Sequence, residues 1–244
     1  MFFNAHVYYA QRVDKNLDAL KVAGCLLPDF ASTSLIAWDD LHKKKGILDF
    51  FEYVNKSASQ FSSLLKGINY HNTLDYSSHL KYKNSITGYS YASITPELFN
   101  LVKKSLHVED ARARASSHNL IESGVDYHLL HDHPELADLI KDSLKEINMQ
   151  ELAKVMSAFY KKDEQETFTG LKYFFFFATD YDLKDFDDWV RLFIDLNKFY
   201  LKVNADEKLT RQALELAFNI TKNTYKEYLE TSIASKNTEI KDCN

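Results

Sequence analysis

The stretch Glu109-Asp-Ala-Arg-Ala-Arg-Ala-Ser-Ser-His118-Asn-Leu-Ile-Glu122-Ser-Gly-Val-Asp126-Tyr-His128-Leu-Leu130 decides the fold class of this chain. It contains no proline, and it is rich in Ala and Leu, the strongest helix formers. It reads as one long helix. On that helix His118, Glu122 and Asp126 recur every fourth residue and therefore share a face. Working outward, Thr95-Pro96-Glu97-Leu98 reads as an N-cap followed by proline at the first helical position, opening a helix to about Leu106. On the other side, Pro134 restarts a helix to about Ile147, and Met149 to Tyr160 forms the next.

The same periodicity extends both ways. Asn16 to Leu27 carries apolar residues at Leu17, Leu20, Val22 and Leu26 and is stopped by Pro28. Ile47 to Leu65 reads as a helix or a pair of helices, and Tyr70 to Tyr82 as another. Three more are expected over Thr167–Ala178, Asp185–Lys202 and Asp206–Thr231. The last dozen residues are polar and are expected to fray. Only six Gly and three Pro occur in 244 residues. That is too few for the many tight reversals of a β-sandwich or barrel. The expectation is a single all-α domain over 1–244, with a site-bearing half (1–135) and C-terminal helices (136–244).

Composition excludes several functions. The formal charge is −5, so there is no net attraction to nucleic acid, and a nucleic-acid partner is not expected. Two cysteines, Cys25 and Cys243, cannot build a disulfide framework or a four-thiolate zinc site. Met1-Phe2-Phe3-Asn4-Ala5-His6 has no basic region, long apolar run or cleavage site, so no signal peptide and a cytoplasmic location are expected. The run Tyr173-Phe174-Phe175-Phe176-Phe177-Ala178 is too short to span a bilayer and reads as a core plug. There is no His-Glu-x-x-His, no Glu-x-x-His and no Gly-rich phosphate or dinucleotide loop.

The histidines carry the functional signal. His71-Asn-Thr-Leu-Asp75-Tyr-Ser-Ser-His79 repeats the i, i+4, i+8 spacing of His118, Glu122 and Asp126. Imidazole and carboxylate one helical turn apart can reach one Zn²⁺, and a carboxylate between two histidines can bridge two ions. Paired ions can activate water and hold a phosphoryl oxygen. Each pair taken alone also reads as a surface hydrogen bond. His128, His131 and His133 read as a polar helix end before Pro134. Asp126 reads as an acceptor that orients a ligand histidine or caps the site. Arg112 and Arg114 read either as solvated or as phosphate-gripping.

The order His6; Gly24-Cys-Leu-Leu-Pro28-Asp29-Phe30; His42; His71-x-x-x-Asp75-x-x-x-His79; His118-x-x-x-Glu122 resembles the zinc-dependent phospholipase C family, whose superfamily includes single-strand-specific nucleases. The likeness covers roughly residues 1–130. It implies an all-helical phospholipase C/nuclease-type fold around two zinc ions, with a third as a further option. By position, Asp29, His42, His71 and Asp75 would hold one ion and His79, His118 and Glu122 a second. Asp75 would bridge to the third, held by His6 and the chain's N-terminus. Asp29 or Asp75 would serve as general base, and the substrate would be a phospholipid or small phosphate ester. Read without the resemblance, His42 beside three lysines is also a surface residue, Asp29 a helix-end residue and His6 a core residue. The competing expectations are a non-catalytic helical metal-binding module and an HD-type phosphohydrolase built on His131-Asp132.

Overall fold

The computed structural model describes residues 3–234; the expected frayed tail and Cys243 fall largely or wholly outside them. Among the described residues every regular element is helical and no strand occurs. The α-helices are α1 (Phe3–Val13), α2 (Ala19–Leu26), α3 (Trp38–His42), α4 (Lys44–Ser57), α5 (Ser62–His79), α6 (Tyr89–Ala92) and α7 (Pro96–Leu106). They continue with α8 (Asp110–Asp132), α9 (Glu135–Glu146), α10 (Met149–Tyr160), α11 (Glu164–Thr179), α12 (Phe186–Leu196), α13 (Glu207–Thr221) and α14 (Tyr225–Ala234). None is long and apolar enough to cross a membrane.

The helix starts follow the capping grammar of the sequence. The Thr95 side chain accepts from the Leu98 amide, with Pro96 at the first helical position. Asp18, Asn148, Asp163 and Asp206 cap α2, α10, α11 and α13 in the same way. Each such cap satisfies an orphan N–H and contributes about 1 kcal/mol. Glycine is too scarce to close every helix, so His107, Lys161 and Lys202 take the left-handed conformation with φ of 52°, 55° and 56°. Several boundaries differ from expectation, three of them in kind. Pro28 ends the α-helical pattern, but the chain continues as a 3₁₀ segment, Leu27–Thr33. The expected gap between residues 65 and 70 is uninterrupted helix within α5. The expected helix Asp206–Thr231 breaks between α13 and α14.

The chain divides into two compact units, each drawing on both the first 135 residues and the C-terminal helices. The first unit comprises residues 6–76 and 136–180. Its α10 packs on α11, and its buried residues include Leu26, Phe50, Ile68, Leu152 and Phe174. Phe174, Phe175 and Phe177 of the aromatic run are buried, with the Phe174 ring edge-on to Phe30 at 5.8 Å. Here α2 and α5 cross where Gly24 meets Gly67, and a Cβ on either glycine would collide with the other helix's backbone. The second unit comprises the described residues 3–5, 77–135 and 181–234. Its α8 packs on α7 and α13, burying Leu98, Val102, Leu120, Ile121 and Leu214.

Candidate metal centre

The glycine crossing of α2 and α5 places the Cys25 carbonyl oxygen 2.7 Å from His71 Nδ1. A carbonyl only accepts, so Nδ1 carries the proton and donates. In the neutral ring this fixes the tautomer, and Nε2 then carries the lone pair. Nε2 is buried and has no hydrogen-bond partner among the described residues. His42, at the end of α3, is built on the same plan: its Nδ1 donates to the Trp38 carbonyl at 3.1 Å. The Trp38 indole lies flat against the His42 ring, with centroids 3.5 Å apart and planes 6° apart. His42 is fully buried despite the three lysines that follow it. The His6 ring, from α1, stacks on His71 at 3.7 Å, and its Nε2 lies 4.0 Å from Asp75 Oδ1.

Five of the expected ligands thus gather in the first unit. One donor atom each of His42, His71 and Asp75 lies within 4.8 Å of the other two, and the same holds for His6, Asp29 and His71. The grouping differs from the one implied by the resemblance, since Asp29 falls with His6 and His71. The chain's N-terminus lies outside the described residues. His42, His71 and Asp75 are buried, while Asp29 is partly exposed. Leaving a buried nitrogen such as His71 Nε2 unpaired costs about 1–3 kcal/mol. A cation that accepts its lone pair removes that cost. Two or three nitrogens with a carboxylate oxygen suit zinc.

The second unit holds the remaining three. His118 Nε2 is 2.9 Å from Glu122 Oε1 and 3.3 Å from His79 Nε2, and their donor atoms form a third group within 4.8 Å. His118 Nδ1 donates to Asn119 Oδ1 at 3.2 Å, which turns Nε2 toward its two partners. Burial disfavours charge on both His118 and Glu122. Their attraction prevails, so Glu122 is held below the usual carboxylate range and His118 is raised. Gly88 lets the following chain fold back against the backbone of Ser78 and His79, where a Cβ would collide. It delivers α6, whose Ser90 Oγ lies 3.5 Å from Glu122 Oε1 and whose Tyr91 ring lies 4.3 Å from the His118 ring.

The other candidates go elsewhere. Asp126 hydrogen-bonds to no histidine among the described residues. It is fully buried and accepts from the Asn4 amide at 3.0 Å, the Ala5 amide at 3.0 Å and Asn4 Nδ2 at 3.2 Å, capping the start of α1. Burial pushes its carboxyl up to about 7. His128 binds the Phe218 carbonyl, His131 the Tyr127 carbonyl and His133 the Glu135 carboxylate. Asp132 is engaged by Tyr225 and Lys226. No metal-capable group among the described residues includes His131 or Asp132. Trp38, Ser90 and Tyr91 carry no imidazole, thiol or carboxylate, and nothing in their sequence context singled them out. No family model, curated protein or solved structure matches this chain.

Proposed function

We propose that this chain is a zinc-dependent phosphoric-ester hydrolase. Its ligands would be His6, Asp29, His42, His71 and Asp75 in the first unit and His79, His118 and Glu122 in the second. The observation that carries this reading is the buried Nε2 of His71, its tautomer fixed by the Cys25 carbonyl and its partner atom missing among the described residues. A purely structural histidine would gain by pairing both nitrogens. Zinc bound there would supply Lewis acidity toward a phosphoryl oxygen and toward water. The chain's own contribution is to hold the imidazoles oriented, with backbone carbonyls behind His42 and His71. Asp29, the partly exposed carboxylate, is better placed than buried Asp75 to take a proton from an attacking water at its carboxylate oxygen. Small phosphate esters and phospholipids are the substrate class.

The burial of His42, His71 and Asp75 supports a second reading, in which the metal is structural and its site is closed by protein ligands. Hydrolysis of bis(p-nitrophenyl) phosphate by zinc-loaded protein separates the two. The hydrolase reading expects turnover that Asp29→Asn reduces by about a hundredfold or more, the general-base contribution. Zinc-loaded protein without turnover on this or a panel of phosphate esters would leave the structural reading.

A further inference from the structure

On α8 the residue one turn before His118 is Arg114, so Arg114, His118 and Glu122 lie on one stripe of the helix. The Arg114 guanidinium sits over the Tyr91 ring, 5.7 Å from its centroid. The same ring lies 4.3 Å from the His118 ring. Tyr91 is therefore a shared plate between a histidine of the metal-capable group and an arginine. Arg114 has no carboxylate partner among the described residues, whereas Arg191 and Arg211 each hold an aspartate. Arg114 is exposed, and a cation–π contact uses none of its N–H donors, so these stay available.

We propose that Arg114, seated on Tyr91, is the phosphate-recognition residue of the His79–His118–Glu122 group, taking non-bridging oxygens of a phosphate ester through its N–H edge. This rests on the zinc-hydrolase reading for the identity of the ligand. A planar fork of N–H donors matches two phosphate oxygens in a way a lysine does not. Arg112 supplies the internal control. Like Arg114 it is exposed, but it lies about 200° around the helix axis from Arg114 and so does not face the group.

The test is calorimetric titration of inorganic phosphate into full-length protein, zinc-loaded and chelator-treated, for wild type, Arg114→Gln, Arg114→Lys and Arg112→Gln. Zinc content and circular dichroism are recorded for each. The expected result is a loss of phosphate affinity of about tenfold or more in Arg114→Gln. Arg114→Lys should recover part of it, Arg112→Gln should match wild type, and zinc content should be equal throughout. Unchanged affinity in Arg114→Gln, or an equal loss in Arg112→Gln, overturns the proposal while leaving the zinc reading intact. Arg114-dependent phosphate binding in a protein that takes no zinc supports the proposal and removes the zinc reading. A protein that takes neither zinc nor phosphate removes both.

Discussion

Replacing Gly67 by alanine tests the contact on which the first unit's ligand geometry depends. On helix propensity alone the change should stabilise α5 by about 1 kcal/mol. The structure predicts the opposite sign. The new Cβ would stand 2.8 Å from both Cys25 N and Gly24 Cα, and closer still to the Lys21 carbonyl oxygen. Carbon contacts are comfortable near 3.5–4.0 Å, so α2 and α5 must part by roughly 1 Å. All the obstructing atoms are backbone, so no rotamer change relieves them. Overpacking of this kind costs about 1–3 kcal/mol. Parting the helices also stretches the 2.7 Å hydrogen bond from His71 Nδ1 to Cys25, and a buried donor left unpaired costs about 1–3 kcal/mol more. After the propensity gain, the net loss should be about 2–4 kcal/mol, measured by urea denaturation of metal-free protein. Zinc affinity should fall as well. A variant as stable as wild type would refute the close crossing and the orientation of His71 derived from it.

Asp126→Ala leaves three N–H donors at the start of α1 without their acceptor, and should cost about 2–4 kcal/mol by the same assay. Lys161→Gly relieves an exposed left-handed residue with φ of 55° at the end of α10, and should raise stability by about 0.5–1 kcal/mol. In chelator-treated protein, the lowered Glu122 contributes stability above the ordinary glutamate value of 4.5, and this is lost as pH falls through its depressed pKa. The raised His118 contributes below the ordinary imidazole value of 6.5, and this is lost as pH rises through its elevated pKa. The pair therefore stabilises most between those two values. His118→Ala should abolish that maximum in a plot of urea midpoint against pH, and a profile unchanged by the substitution would contradict the pairing.

The sequence made the all-α class and most helix starts legible, because capping residues and prolines are local signals. Thr95-Pro96 and Asn148-Met149 open helices where the pattern expects them. Helix α1 escaped because its buried residues include the polar Asn4 and His6, which an apolar pattern does not mark as inward-facing. The continuity of α5 escaped for a different reason. Gly67 lowers helix propensity, and only the approach of Gly24 explains why the helix tolerates it. The break between α13 and α14 falls on Lys222-Asn223-Thr224, which contains neither Gly nor Pro.

For the candidate site, the four-residue spacing on α5 and α8 did place metal-capable side chains together, because one helix sets that geometry by itself. Which of them share a group depends on long-range packing, as with His71 in two groups and Asp29 alongside His6. Asp126 shows the limit of reading a stripe. It shares the α8 face with His118 and Glu122, yet the residues opposite it are the amides of Asn4 and Ala5.

Zinc content per chain, measured by plasma mass spectrometry on untagged protein, tests the central claim most directly. Wild type should carry two or more zinc ions, with Asp75→Asn depleting the first unit and His118→Ala the second. Less than about half an ion per chain after incubation with zinc, unchanged by either substitution, would contradict the account and leave the histidines of α5 and α8 as structural residues.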